Sequence, residues 1–144
     1  MAKVLIVYHS LGGNTKAAAE AVAEGAKSVE GAEVVLKRGF EATEEDLVSC
    51  DAVAIGSYDA FSYMAGAVKD FFDRTYYPTQ DKVADKPCGI FLTHGGGGKA
   101  MDSLVKMCER FKFKQVAEPV SVKGSPDAEA QAQLVALGAK LARA

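Results

Sequence analysis

Five apolar runs and five helix-period segments take turns from one end of this chain to the other, and that alternation leaves few architectures open. Lys3–Tyr8 (KVLIVY) is a continuous, largely β-branched run, the pattern of a strand buried on both faces. A helix pattern follows from Thr15, with Ala18, Val22, Gly25, Ala26 and Val29 on one side, and its alanines predict close approach to a sheet. Residues 33–37 (EVVLK) alternate and predict a more exposed second strand. Thr43 is the expected N-cap of a short helix, with Glu44, Glu45 and Asp46 favourable at its positive end. Residues 51–57 (DAVAIGS) predict the third strand, and Ala65, Val68, Phe71 and Phe72 the next helix face. The fourth strand spans 88–93 and is entered through Pro87; Met101, Leu104, Val105, Cys108 and Phe111 then recur at helical spacing. Residues 116–122 predict the fifth strand, where Pro119 implies an edge position or a bulge. Ser125 as N-cap and Pro126 in the first turn open the last helix, whose stripe is Leu134, Leu137 and Leu141. The longest irregular stretch is expected between Tyr76 and Lys86. Such alternation implies right-handed crossovers and a sheet covered by helices on both faces. The expectation is an α/β three-layer sandwich, a five-stranded parallel sheet of order 2-1-3-4-5, with residues 1–144 as one domain.

Composition narrows the function classes. Hydrophobic residues make up 49% and charged residues 25%, which argues against disorder as the main state. A net charge of −2 carries no electrostatic footprint for nucleic acid. No run approaches the ~20 apolar residues that span a bilayer, and the first residues lack a secretory-leader pattern, so the chain is expected to be cytoplasmic without membrane insertion. Cys50, Cys88 and Cys108 form neither a CxxC pair nor a zinc spacing and are expected to be buried, reduced thiols.

In a sheet of this order, ligands bind outside the carboxyl ends of the strands, where the strand order reverses. Three loops meet there: His9–Asn14, Tyr58–Ala65 and His94–Gly98. The first, His9-Ser10-Leu11-Gly12-Gly13-Asn14-Thr15, joins a strand to a helix. Its glycines allow close backbone approach, its short side chains add donors, and the helix N-terminus carries partial positive charge; together these suit a phosphate. The loop is neither GxxxxGK[ST] nor GxGxxG, which argues against a nucleoside triphosphatase and a dinucleotide site. Tyr8-His9 and Gly56-Ser57 stand where a receiver domain needs acidic residues.

Residues 10–15 (SLGGNT) resemble the flavodoxin phosphate loop S/T-x-T-G-x-T, matching at Ser10, Gly13, Asn14 and Thr15, with Gly12 in place of the usual Thr. Residues 51–74 (DAVAIGSYDAFSYMAGAVKDFFDR) resemble the third-strand region of flavodoxin-like NAD(P)H:quinone oxidoreductases and FMN reductases, and 91–99 (FLTHGGGGK) their next strand and Gly-rich turn. The resemblance implies a flavodoxin-like fold and FMN, its phosphate on the first loop and its isoalloxazine between the other two. Cofactor contacts are then expected from His9, Ser10, Leu11, Gly12, Gly13, Asn14 and Thr15; from Ser57, Tyr58, Asp59, Ala60, Phe61 and Tyr63; and from His94, Gly95, Gly96, Gly97 and Gly98. Tyr58, Phe61 and Tyr63 offer aromatic surface, which matters because the chain has no Trp. Asp59 reads as an exposed loop carboxylate or a negative charge near the ring, Asp73-Arg74 as an ion pair or cap, and Lys69 as a solvated residue.

Two functions fit. One is an electron carrier working between redox partner proteins; the other is an enzyme in which NAD(P)H reduces FMN and FMN reduces a quinone-like acceptor. A flavin-free interaction module is a third class, disfavoured by the intact phosphate loop. The chain is expected to be a monomer or small homo-oligomer. Between Ser57 and Ala65 there is no Gly to ease a backbone flip toward the ring, and Asp59 is the residue there most tolerant of left-handed backbone. That predicts weak stabilisation of the one-electron-reduced flavin and leans toward two-electron chemistry.

Overall fold

β1 (Lys3–Tyr8) is an inner strand of the sheet, and a computed structural model describes the chain from residue 2 to residue 144. Val4, Leu5, Ile6 and Val7 are completely buried, as the uninterrupted apolar run requires. On one side β1 pairs in parallel with β2 (Glu33–Arg38), none of whose residues is fully buried, as befits an edge. On the other side it pairs with β3 (Ala52–Ala60), and β3 pairs in parallel with β5 (Pro87–His94). Beyond β5 the last sheet position is split between β6 (Lys114–Gln115) and β7 (Val120–Lys123), both parallel to β5. The sheet order β2-β1-β3-β5, followed by the β6/β7 edge, is the expected 2-1-3-4-5. An antiparallel two-residue strand, β4 (Tyr63–Met64), is added at the end of β3.

Three boundaries differ from expectation, each for a local reason. The fifth strand is not continuous over 116–122: Pro119 has no N–H for the ladder, and the chain leaves β5 after the Val116 N–H bond to the Cys88 carbonyl (3.1 Å). Helix α3 (Gly66–Thr79) carries Pro78 in its last turn, so the irregular stretch after it is shorter than expected. Helix α5 (Ala128–Arg143) is capped by the carboxylate of Asp127, which accepts the Ala130 N–H at 2.8 Å, while Ser125 and Pro126 belong to the turn before it. The expected Thr43 cap is present in full at α2 (Glu44–Ser49): Thr43 and Asp46 exchange side-chain-to-backbone hydrogen bonds.

Strand alternation sends the two faces of the sheet into two cores. Leu5, Val7, Val53, Ile55, Ile90 and Leu92 pack under α2, α3 and α4 (Met101–Arg110). Val4, Ile6, Ala52, Ala54 and Phe91 pack under α1 (Asn14–Lys27) and α5. The small residues of α1 serve its neighbour helix as much as the sheet. A Cβ on Gly25 would sit 1.8 Å from the Val135 carbonyl oxygen, and one on Gly138 1.9 Å from that of Val22, so α1 and α5 cross backbone to backbone.

The expected Asp73–Arg74 pair is not formed, because neighbours on a helix point apart. Arg74 instead pairs with Asp70 (2.6 Å) and donates to the carbonyls of Gly39 and Ala42; Lys69 pairs with Asp73 (2.7 Å). The three cysteines are buried and free, and burial pushes the Cys50 thiol up. The hydrogen-bonded Cys108 thiol, with burial, does the same to Cys88.

Candidate functional site

The first βα loop ends in Gly13, whose φ of +102° is a conformation that favours glycine. The Gly13 N–H donates to Ser10 Oγ at 3.1 Å, which curls the loop back over the start of α1. No side chain caps α1. No side chain of the chain therefore meets the first-turn N–H groups at Asn14 and Thr15, the condition an anion site needs. Thr15 turns inward, and its Oγ1 shares a buried hydrogen bond with Thr93 Oγ1 at the end of β5 (2.8 Å). Leu11 stands exposed, and nothing lies within 4 Å of where a Gly12 Cβ would be.

The second loop is a hairpin rather than an irregular segment. β3 runs on through Tyr58, Asp59 and Ala60, and Asp59 pairs with Met64 and Ala60 with Tyr63. The two-residue turn is Phe61-Ser62, with φ of 56° and 67°. Two positive φ values are what a tight hairpin needs to match strand twist. The residues in left-handed backbone are thus Phe61 and Ser62, not Asp59. Asp59 is a staple: its Oδ1 accepts the Ser62 N–H (2.7 Å) and its Oδ2 the Ala100 N–H before α4 (3.1 Å). It is therefore neither free nor a simple exposed carboxylate. Ser57 sews the base of the hairpin, accepting from Ala65 N–H (2.8 Å) and donating to the Tyr58 carbonyl (2.6 Å). Phe61 at the tip is fully exposed and Tyr63 partly so. A bulky side chain in left-handed backbone costs roughly 1–2 kcal/mol, here at a tip where the ring touches little of the protein.

The third loop supplies a bare wall. A Cβ at Gly95, Gly96 or Gly97 would meet nothing within 4 Å, whereas one on Gly98 would lie 3.2 Å from the His94 ring. A groove of about 250 Å³ joins the three loops. Leu11, Gly12, Asn14 and Thr15 form one end, Tyr58 and Asp59 one side, and His94 and Gly95 the other. Ser10, Gly13, Ser57, Ala60, Phe61, Tyr63 and Gly96–Gly98 shape or border the three loops without lining that groove. His9 lies beside it, its ring 5.9 Å from Tyr58 and 6.0 Å from Phe40. Burial, and then the Arg38 guanidinium, lower the His9 pKa and favour the neutral ring.

Two lining residues escaped the sequence reading, Thr93 and Gly124. A hydroxyl closing an otherwise apolar central strand was the available signal for Thr93. Gly124, at φ 73°, donates its N–H to the His94 carbonyl at 2.8 Å and turns the chain away from β7.

Comparison with known proteins agrees with this arrangement. The flavodoxin family model matches residues 6–138. A flavodoxin of Aquifex aeolicus (strain VF5) is 38% identical over 117 residues, a match that covers 78% of this chain and 63% of that relative. An archaeal flavodoxin structure superposes with a TM-score of 0.88 at 23% identity, covering 98% of this chain and 96% of its own. A flavodoxin, WrbA-like protein from Agrobacterium tumefaciens gives 0.84 at 22%, covering 99% and 96%. At these identities the two structures speak for the fold; the family model, which matches nearly the whole chain, goes further, and the chain belongs to the flavodoxin family.

Proposed function

We propose that this chain carries FMN in the groove at the carboxyl edge of the sheet and works as an electron carrier between redox partner proteins, with residues 1–144 as one FMN-binding unit. The uncapped N-terminus of α1, opening into the same groove as the hairpin and the glycine wall, is the observation that carries this reading. Ser10–Thr15 would hold the phosphate. Tyr58 and Phe61 would present aromatic surface to the ring, and the backbone of Gly95–Gly98 would face its polar edge. The residues fit such a ligand: His9 Nδ1 and His94 Nδ1 are buried without a hydrogen-bond partner at this edge. Bound FMN supplies one- and two-electron redox chemistry.

The carrier reading is favoured over the NAD(P)H-driven reductase by what residues 65–74 do. Lys69, Asp70, Asp73 and Arg74 spend their charges within α3 and on the Gly39 and Ala42 carbonyls, and none lines the groove. The segment that resembles the reductases is therefore structural here. Cytoplasmic residence belongs to the same proposal, supported by three buried free thiols. Among the described residues no helix is long and apolar enough to cross a membrane.

Calorimetry with FMN and riboflavin tests the site, and NAD(P)H addition to the FMN-loaded protein tests the role. Tight FMN binding, weak riboflavin binding and no rapid bleaching by NAD(P)H are expected. Equal affinity for the two flavins would remove the phosphate role of Ser10–Thr15, and rapid bleaching would restore the reductase.

A further inference from the structure

Four threonines are buried in this chain, and two of them give their protons to the backbone one helical turn back. Thr75 donates to the Phe71 carbonyl (2.8 Å) and Thr79 to the Thr75 carbonyl (2.7 Å), both within α3. Thr15 and Thr93 behave differently. Their Oγ1 atoms share one hydrogen bond of 2.8 Å, and neither oxygen makes another among the described residues. Two hydroxyls carry two protons and the shared bond uses one, so one buried O–H has no acceptor within the chain. Native proteins rarely leave such a donor unmet, which points to an acceptor outside the chain. The pair faces the groove. Thr15 stands in the first turn of α1, Thr93 lies near the end of β5 on the same sheet face as Phe91, and both line the groove with Asn14 and Gly95.

We infer that Thr93 is a positioning residue for FMN: it donates to Thr15, and the Thr15 proton left free by that direction is the one the FMN phosphate accepts. The inference rests on the FMN reading above, and it gives Thr93 a part in the choice of FMN over riboflavin. The direction of the shared bond decides which hydroxyl offers a proton to the ligand. Were Thr15 the donor, the free proton would sit on β5, away from the start of α1. With Thr93 as donor, it sits in the first turn of α1, where N–H groups that no side chain caps already favour an anion. A hydrogen bond to an ionised oxygen is roughly twice as strong as one between neutral groups, so a bound phosphate selects this direction. Accepting from Thr93 also polarises the Thr15 O–H and makes it a better donor. The two hydroxyls come from residues 78 positions apart, and β5 runs from Thr93 through His94 into the glycine turn. The phosphate loop and the glycine wall are thus joined through one buried pair.

The test is calorimetry on the flavin-free chain with FMN and with riboflavin, for the wild type, Thr93→Val, Thr93→Ser, Thr15→Val and the double variant. Valine keeps the branched frame of threonine and replaces the hydroxyl by a methyl. In Thr93→Val, FMN is expected to bind roughly two- to tenfold more weakly, the range for one neutral hydrogen bond, with riboflavin unchanged. Thr93→Ser, which keeps the hydroxyl, restores FMN. The loss disappears when Thr15 is already Val, because no Thr15 proton remains to be directed. NMR of the wild-type FMN complex reads the same bond without any variant: the buried Thr15 hydroxyl proton is expected to couple to the FMN phosphorus, and the Thr93 hydroxyl proton is not. Full FMN affinity in Thr93→Val, a loss shared equally by riboflavin, or a loss that persists on the Thr15→Val background overturns the inference. So does phosphorus coupling to the Thr93 proton, or none to that of Thr15. Each of these results is obtained with FMN bound and leaves the FMN reading standing, whereas failure of the wild type to bind FMN overturns that reading and the inference with it.

Discussion

Gly138→Ala isolates the contact on which one whole face of the sheet depends. The new Cβ would lie 1.9 Å from the Val22 carbonyl oxygen and 2.8 Å from the Ala26 nitrogen, both backbone atoms inside α1. Carbon and oxygen sit comfortably at about 3.3 Å, so α1 and α5 must part by roughly 1.4 Å. A gap of about 0.5–1 Å already forfeits a quarter to a half of a dispersion well. The side chains that feel it include Ala18, Val22, Ala26, Leu134 and Leu141, all buried in this core. Overpacking costs about 1–3 kcal/mol, and a clash with backbone belongs at or above the upper end because no rotamer relieves it. Alanine's better helix propensity returns about 1 kcal/mol. The net expectation is a loss of about 2–3 kcal/mol, a fall in Tm on the order of 10 °C for a chain of this size. Urea unfolding of the flavin-free protein followed by circular dichroism measures it. Gly66→Ala, where nothing lies within 4 Å of the new Cβ, is the control and should be neutral or slightly stabilising. Unchanged or increased stability in Gly138→Ala would refute the backbone-to-backbone crossing.

Thr15→Val should weaken FMN by about 1–3 kcal/mol, the range for a charge-assisted hydrogen bond, with little change for riboflavin; because it also strands the buried Thr93 hydroxyl, urea unfolding should show a separate stability loss. Changing Tyr58, Phe61 and Tyr63 together to Ala should weaken FMN and alter its absorption; an unchanged spectrum would mean the ring lies elsewhere. Ser62→Gly should stabilise the flavin-free protein by up to about 1 kcal/mol, since left-handed backbone costs Gly little. Burial alone would raise the Asp46 pKa, but its hydrogen bonds to Lys37 and Thr43 outweigh that and hold it below the usual value. Its contribution is therefore present above the unfolded carboxylate pKa and lost as pH falls through the folded one, and the stability–pH curve of Asp46→Asn should lack that acid-side loss.

What could be read from the chain followed physical uniqueness. A strand buried on both faces has one signature, and residues 3–8 carry it without a break. Thr43 with Asp46 could be placed because capping depends on neighbours three residues apart. The bend of the first βα loop was visible because left-handed backbone of the kind Gly13 adopts calls for glycine. The hairpin was not visible: its turn is Phe61-Ser62, with neither the Gly nor the Asn that usually announces positive φ, and its stability comes from Ala100, which is distant in sequence. Thr93 stayed hidden for a similar reason, since its partner Thr15 lies 78 residues away. The pairings of Arg74 depended on which carbonyls the β2–α2 connection would present, a tertiary fact.

The hairpin also changes the argument about electron number. The absence of Gly between Ser57 and Ala65 implied a backbone unable to reach left-handed conformations cheaply, and from there a preference for two-electron chemistry. Yet Phe61 and Ser62 are already in that region. Asp59 holds them there, by accepting the Ser62 N–H while anchored through its other oxygen to the Ala100 N–H. The resistance to turning the Phe61–Ser62 peptide is thus set by a carboxylate with two hydrogen bonds, not by the missing glycine. Breaking the shorter of these would leave Asp59 still tied to the start of α4, so the hairpin can change its turn without losing its place. Asp59 thus joins a turn already in left-handed backbone to the start of α4, which fixes where the hairpin stands over the groove.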